Sequence, residues 1–200
     1  MKTLEPLHIL ISKLARLPGV GRRSAERMAY RVALDKQGLA RDLAQALRDV
    51  DEQVCLCSRC NNLTLRSVDP CELCRDSCRD DHVLCVVEDP LNIQQIESAG
   101  VFRGRYHCLL GKLSPMRGQD IPPARVEALL ARIQSEAFSE VILAFDSDVE
   151  SDATTSYLQE KLAAANVRVT RLAFGIPAGS GIAYTDPITL ARALHGRQSY

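Results

Sequence analysis

Apolar side chains recur at helical spacing through the first quarter of the chain. Over residues 4–16, LEPLHILISKLAR, Leu7, Leu10, Ile11 and Leu14 share one face and Lys13 and Arg16 lie off it. LPGVG at 17–21 interrupts that period with Pro18 and two glycines, which stop a helix and make a tight turn. A second helix runs through AERMAYRVAL, with Ser24 as its cap or in its first turn. A third, over 39–53, sets Leu39, Leu43, Ala46, Leu47 and Val50 on one face. Residues 1–53 therefore read as a small helical unit. Residues 54–81 show no period; cysteines, polar residues and Pro70 mark a loop-rich module.

From residue 82 the pattern changes again. VLCVVE (83–88), RYHCLLG (105–111), EVILAF (140–145) and VRVTRLAF (167–174) read as strands. Between them, 91–99, 122–137 and 152–165 read as helices, the second with Val126, Leu129, Leu130 and Ile133 on one face. Strands alternating with helices at this spacing imply a mostly parallel sheet over 82–174. A turn-rich segment, 175–200, ends in a short helix at 187–195. The predicted class is thus α+β and multi-module: a helical unit, a cysteine module, an α/β domain and a short C-terminal segment. The first two are too small to be comfortably stable alone and should pack on a neighbour or another subunit.

Composition narrows the classes of function. The chain has 200 residues, is 46% hydrophobic and balances 25 basic against 25 acidic side chains. That excludes a disordered tail and a wholly basic nucleic-acid protein. No apolar run reaches the ~18–20 residues that span a bilayer. MKTLEPLHILISKLARLPG carries charge throughout and lacks a small-residue cleavage site, so the cytoplasm is the expected compartment. Charge is nevertheless segregated. Lys2, Lys13, Arg16, Arg22, Arg23, Arg27 and Arg31 stand against Glu5 and Glu26 at one end, and Asp146, Asp148, Glu150 and Asp152 crowd one short stretch. Such blocks suit a phosphate site and a cation site, and equally suit two solvated faces.

LPGVGRRSAERMA, residues 17–29, resembles a helix-hairpin-helix motif. Gly19 and Gly21 leave no large side chain between backbone and ligand. The next helix turns its free N–H groups and positive dipole end to the same spot, a natural phosphate site. Arg22, Arg23 and Arg27 add mobile cations. Contacts of this kind bind the DNA backbone without reading sequence and are sensitive to salt. The plainer alternative is an ordinary helical corner.

Six of eight cysteines fall between Cys55 and Cys78. Cys57-x2-Cys60 and Cys71-x2-Cys74 form two knuckles, and two such turns complete a tetrahedron of thiolates around zinc. Four thiolates leave no open position, so the role is structural. Cys55, Cys78 and His82 remain substitutes for a ligand, and a redox pair is the alternative. Neither knuckle reads as a helix start following a strand, where that redox chemistry operates. Cys85 and Cys108 fall in strands and read as core. His8, His107 and His195 are isolated and read as structural.

Glu88 ends the first strand, and Asp146, Asp148 and Glu150 follow the third. Ligands of parallel sheets bind beyond the carboxyl ends of strands, and hard oxygens there suit Mg²⁺. Acids also start helices, and Asp152 fits that use. Gly179-Ser180-Gly181 lacks the ending of a phosphate-binding loop, so nucleotide hydrolysis is not expected. The absence of Trp and the few aromatics favour duplex or gapped DNA over single-strand stacking.

A Glu after one strand and Asp-x-Asp-x-Glu after a later one resembles the Toprim domain. The chain as a whole, from LPGVGRRSAERMA through the four cysteines, LCVVEDPLNIQQIE, GRYHCLLGKLSPMRG, EVILAFDSDVESDAT and RLAFGIPAGSGIAYTDPITLARALHGR, resembles the RecR family of recombination mediators. The resemblance implies a bacterial, nucleoid-associated DNA-repair protein. It implies a ring-like homotetramer that can encircle DNA, joined through its N-terminal helical and C-terminal parts. It further implies work with RecO, and in many bacteria RecF, to load RecA at single-stranded gaps, without catalysis. By the same resemblance Arg23 and Arg27 are DNA contacts, Cys57, Cys60, Cys71 and Cys74 zinc ligands, and the Toprim surface a partner-binding face. Where many members carry Asn-x-Thr, this chain has Asp146 and Asp148, and Ser151-Asp152 stands where Gly-Glu is common. The complete acid set keeps a Mg²⁺-dependent Toprim nuclease as the alternative to a partner surface.

Overall fold

The computed structural model describes residues 4–114, 118 and 120–197. Lys2 and residues 198–200 of the C-terminal segment lie outside them. Two compact units divide the chain, residues 1–54 and 55–200.

The first unit holds α1 (Glu5–Leu14), α2 (Arg22–Leu34) and α3 (Leu39–Gln53). Leu7, Leu10, Ile11 and Leu14 of α1 are half-buried, and α1 packs on α2, whose Ala25 and Ala29 are fully buried. Two alanines let helix backbones approach closely, which is why so short a pair holds. The predicted face of α3 exists but stays uncovered: Leu47 is 71% and Val50 59% exposed. Gly21, not Ser24, is the N-cap of α2.

The second unit begins with more regular structure than the composition of 54–81 suggests. Strands β1 (Val54–Leu56) and β2 (Leu63–Leu65) pair, and a tight helical turn at Arg66–Val68 leads to the four-residue α4 (Glu72–Arg75). Such short elements carry little periodicity, so they are invisible to pattern reading.

The α/β part contains β3 (Val83–Val87), α5 (Pro90–Ala99), β4 (Arg105–Cys108), α6 (Pro123–Glu136), β5 (Glu140–Ala144), α7 (Val149–Leu162) and β6 (Arg168–Arg171). The four strands lie in the order β4-β3-β5-β6, and every pair is parallel. The strands are shorter than read from sequence because the chain leaves the sheet at Glu88, Leu109 and Phe145. Helix α7 starts three residues earlier than predicted because Asp148 caps it, accepting from the Ser151 amide at 2.7 Å. The last helix, α8, spans Pro187–His195 and is capped by Asp186.

Alternation along the strands feeds two cores. Leu84, Val86, Val141 and Leu143 pack with Val126, Leu129 and Ile133 of α6 and with Leu158 and Leu162 of α7. Cys85, Val87, Tyr106 and Cys108 pack on the other face with Ile93 of α5. Cys85 and Cys108 are thus core residues. Gly104 is needed where it stands: a Cβ there would meet the Val83 carbonyl at 2.6 Å and the Phe102 ring at 2.5 Å. The connection from β3 leads outward to β4, and that from β5 leads outward to β6. The carboxyl ends of β3 and β5 therefore flank the topological switch point, where doubly wound sheets bind ligands.

His107 is 3% exposed on β4. Burial, then the neighbouring Arg132 guanidinium, push its pKa down to about 4, against a smaller opposing pull from Glu136. His8 and His195 lie at the surface. An unfolded His protonates near pH 6.5, so below that pH the unfolded chain takes up a proton that the folded chain refuses until about pH 4. Stability should fall by roughly 3 kcal/mol across that window through this residue. Urea melts at pH 7 and pH 4.5 check it, and His107→Gln should lose that part of the acid sensitivity. Leu143→Ala, in the larger core, should cost about 2–5 kcal/mol in the same melts.

Candidate nucleic-acid interface and metal centre

The hairpin between α1 and α2 is open on its ligand side. Gly19 sits at φ +76°, a conformation that favours glycine, and Val20 N–H donates to the Leu17 carbonyl at 3.1 Å to close the turn. Gly21 is extended, and the first helical bond of α2 is Ala25 N–H to the Gly21 carbonyl at 3.0 Å. The amides of Arg22, Arg23 and Ser24 precede that bond, and no side chain caps them. A Cβ on either Gly19 or Gly21 would meet nothing within 4 Å, so the approach to these amides is clear. Arg22 pairs with Glu26 at 3.4 Å. Among the described residues no ion pair engages Arg23 or Arg27, and both are exposed. Tyr30, 54% exposed, lies beside Arg27 and Arg31 along α2, an aromatic that the sequence reading did not single out.

In the second unit the two knuckles converge. The sulfurs of Cys57, Cys60, Cys71 and Cys74 lie within 4.8 Å of one another, and all four residues are buried. Cys57 Sγ stands 3.9 Å from Cys74 Sγ, and Cys60 Sγ 3.6 Å from Cys71 Sγ. Four thiolates at ~2.3 Å from a common tetrahedral centre would stand about 3.8 Å apart, so the donor set fits such an ion. Asn61, at φ +60°, turns the first knuckle, and Cys57 N–H donates to the Asn62 carbonyl at 2.7 Å. The Cys71 amide donates to Cys57 Sγ at 3.2 Å, a contact suited to a thiolate. Hydrogen bonding from Cys60 and Cys74 pushes the Cys71 thiol strongly down. Cys71 is the N-cap of the short α4, and the helical turn at Arg66–Val68, not a strand, precedes it. The cluster contains neither Cys55 nor exposed Cys78 nor His82.

Four arginines gather where this module meets the sheet and its helices. Arg59, between the first two cysteines, makes two parallel 3.0 Å bonds to Glu136 at the end of α6 and donates to the Cys74 carbonyl at 3.2 Å. Arg132 reaches the same carboxylate at 3.1 Å. Burial raises the Glu136 carboxyl, and its bonds to Arg59 and Arg132 more than offset that, leaving it below the ordinary value. Arg105 of β4 donates to the Leu73 carbonyl at 2.9 Å and pairs with Asp81 at 2.6 Å. Arg79 pairs with Glu97 of α5 at 2.5 Å. Sequence periodicity gives no signal for these pairs, whose members stand up to 77 residues apart.

The carboxylates gather at the switch point around a residue that the sequence reading passed over. Lys112 Nζ lies 2.7 Å from Asp148, 3.6 Å from Glu88 and 3.8 Å from Glu150. Its hydrogen bond, with the Ser151 amide second, holds Asp148 down to about 2. Burial raises Glu88, with Lys112 opposing and Asp146 adding to the rise. Ser114 Oγ donates to Glu150. Asp152 stands apart, bridging Arg171 of β6 at 2.6 Å and Arg192 of α8 at 3.2 Å.

Comparison with known families agrees with this arrangement. Residues 7–50 match a family model described as RecR, helix-hairpin-helix; residues 82–173 match the Toprim domain; residues 175–198 match RecR, C-terminal. The chain is 44% identical over 197 residues to a protein named recombination protein RecR from Koribacter versatilis, covering 98% of each chain. It is 44% identical to the protein of that name from Moorella thermoacetica, covering 96% of each, and 42% identical to that from Myxococcus xanthus, covering 98% of each. Among the described residues no helix is long and apolar enough to cross a membrane.

The geometry of the cluster carries a direct expectation. Cys60→Ser should abolish tightly bound metal, whereas Cys55→Ser and Cys78→Ser should retain one ion per chain, as measured by metal analysis of anaerobically purified protein.

Proposed function

The chain belongs to the RecR family of recombination proteins, and from that premise we propose that it is a non-enzymatic DNA-binding mediator of recombinational repair, working in the cytoplasm. The observation that carries this reading is the uncapped start of α2. Free amides of Arg22, Arg23 and Ser24 stand behind two glycines with open space in front of them, flanked by exposed Arg23 and Arg27, which no ion pair engages among the described residues. A phosphate fits there through the helix dipole and the amides, with arginine adding charge-assisted bonds. Because these contacts touch phosphate and not bases, binding is independent of sequence and weakens with salt.

The cysteine cluster holds structural zinc in this reading. Sulfur donors favour zinc over hard cations, and four of them leave no coordination position for chemistry. The ion would hold both knuckles and, through them, the contacts to α6 and β4. As the family resemblance implies, the molecule acts as a tetrameric clamp with RecO, and with RecF where present, to help load RecA at gaps. Two uncovered apolar stretches support self-association: Leu43, Leu47 and Val50 on α3, and Ile182, Tyr184, Ile188 and Leu194 near the C-terminus. The acids at the switch point would offer an acidic face to a basic partner such as RecO.

Zinc-replete protein incubated with end-labelled gapped DNA should shift it on native gels and leave it uncut on denaturing gels, with or without Mg²⁺. Mg²⁺-dependent fragments would overturn the non-enzymatic reading. Arg23→Glu with Arg27→Glu should weaken binding on any sequence and lower the salt slope by about 2. An unchanged affinity and slope would remove the hairpin from the DNA interface.

A further inference from the structure

Carboxylates beyond the strand ends of a parallel sheet are the oxygen ligands that Mg²⁺ takes, and Mg²⁺ demands near-ideal octahedral geometry. In this chain the position between them is filled from within. Lys112 Nζ is hydrogen-bonded to Asp148 at 2.7 Å and lies 3.6 Å from Glu88 and 3.8 Å from Glu150. Two of these carboxylates accept a further bond. Asp148 accepts from the Ser151 amide as N-cap of α7, and Glu150 accepts from Ser114 Oγ.

The lysine is held in place by the backbone on both sides of it. Gly111 N–H donates to the Glu88 carbonyl at 3.1 Å, and Leu113 N–H donates to Thr154 Oγ1 of α7 at 2.9 Å. Thr154 Oγ1 in turn donates to the Glu150 carbonyl at 2.8 Å. The ammonium is therefore carried into the cluster by a segment stitched to the strand end of β3 and to the first turns of α7. Its side chain is only 18% exposed. A divalent ion bound by the same oxygens would have to displace a positive charge.

We propose that Lys112 is the resident cation of this acidic site and that it excludes divalent metal from it. The residues do not fit Mg²⁺ as they stand, because three of the acids that make the sequence look metal-dependent, Glu88, Asp148 and Glu150, form an ion-pair node around Lys112. The node joins the strand ends of β3 and β5 to the start of α7 through the 111–114 segment. This does not rest on the DNA-binding reading, which concerns the other unit.

The test is Mn²⁺ binding to zinc-replete full-length protein, followed by loss of the free-ion electron paramagnetic resonance signal. Wild type and Lys112→Arg should bind no Mn²⁺ at this site. Lys112→Met should gain one site, and Lys112→Met with Asp148→Asn should lose it again. Wild type binding Mn²⁺ as tightly as Lys112→Met would overturn the proposal, as would a Lys112→Met protein that gains nothing or keeps its site without Asp148. A second measurement needs no variant. In wild type, the Lys112 ammonium protons should exchange slowly in nuclear magnetic resonance spectra and escape broadening by Mn²⁺. Fast exchange or Mn²⁺ broadening of that signal would equally overturn the proposal, even should Lys112→Met fail to fold.

Discussion

The second unit depends on how the end of an edge strand is satisfied. β4 closes one side of the sheet, and an edge strand exposes unpaired amides and carbonyls. Here the first cysteine knuckle covers its end. The Cys108 amide donates to the Cys60 carbonyl at 2.8 Å, and Asn61 Nδ2 donates to the Cys108 carbonyl at 2.9 Å. That knuckle in turn meets the second, their four sulfurs brought together. Metal-type geometry at the cysteines, the terminus of β4 and the course of the chain beyond it are therefore one connected constraint. Leu109 returns to the Val87 carbonyl and Gly111 to the Glu88 carbonyl. That path delivers Lys112 to the carboxylates.

The buried and half-buried charges follow a second rule. Arg59, Arg79, Arg105 and Arg132 sit at the joint between the cysteine module, the sheet and its helices, and each meets a carboxylate, a carbonyl or both. A planar fork with five donors suits such places, because one side chain can satisfy acceptors on two elements. Breaking such a pair costs far more than its net contribution to stability, since it strands a charge away from water. The arginines therefore specify how the module docks more than they deepen the stability of the fold. The hairpin arginines of the first unit do the opposite. Arg23 and Arg27 stay exposed and, among the described residues, meet no carboxylate, which leaves them open to phosphate.

Much of this was legible along the chain. The faces of α1 and α6, the turn at Pro18–Gly21 and the alternation of strands and helices come from periodicity and from glycine and proline chemistry, which are local. The two knuckles were legible because a metal tetrahedron demands pairs of cysteines at a fixed short spacing. The small strands β1 and β2 and the helix α4 were not, since three or four residues cannot display a period. Their positions follow from the knuckles and not from propensity.

Local spacing along the chain marks out the residues able to do chemistry: the glycines and arginines of the hairpin, the cysteines, and the acids beyond two strands. The folded arrangement selects among them. It separated Cys57, Cys60, Cys71 and Cys74 from Cys55 and Cys78, turned Asp152 away toward Arg171 and Arg192, and placed Lys112 among Glu88, Asp148 and Glu150. The reason is physical. Periodicity and spacing record what a residue does with neighbours a few positions away, whereas Lys112 and Asp148 stand 36 positions apart and meet only once the parallel sheet has aligned the ends of β3, β4 and β5.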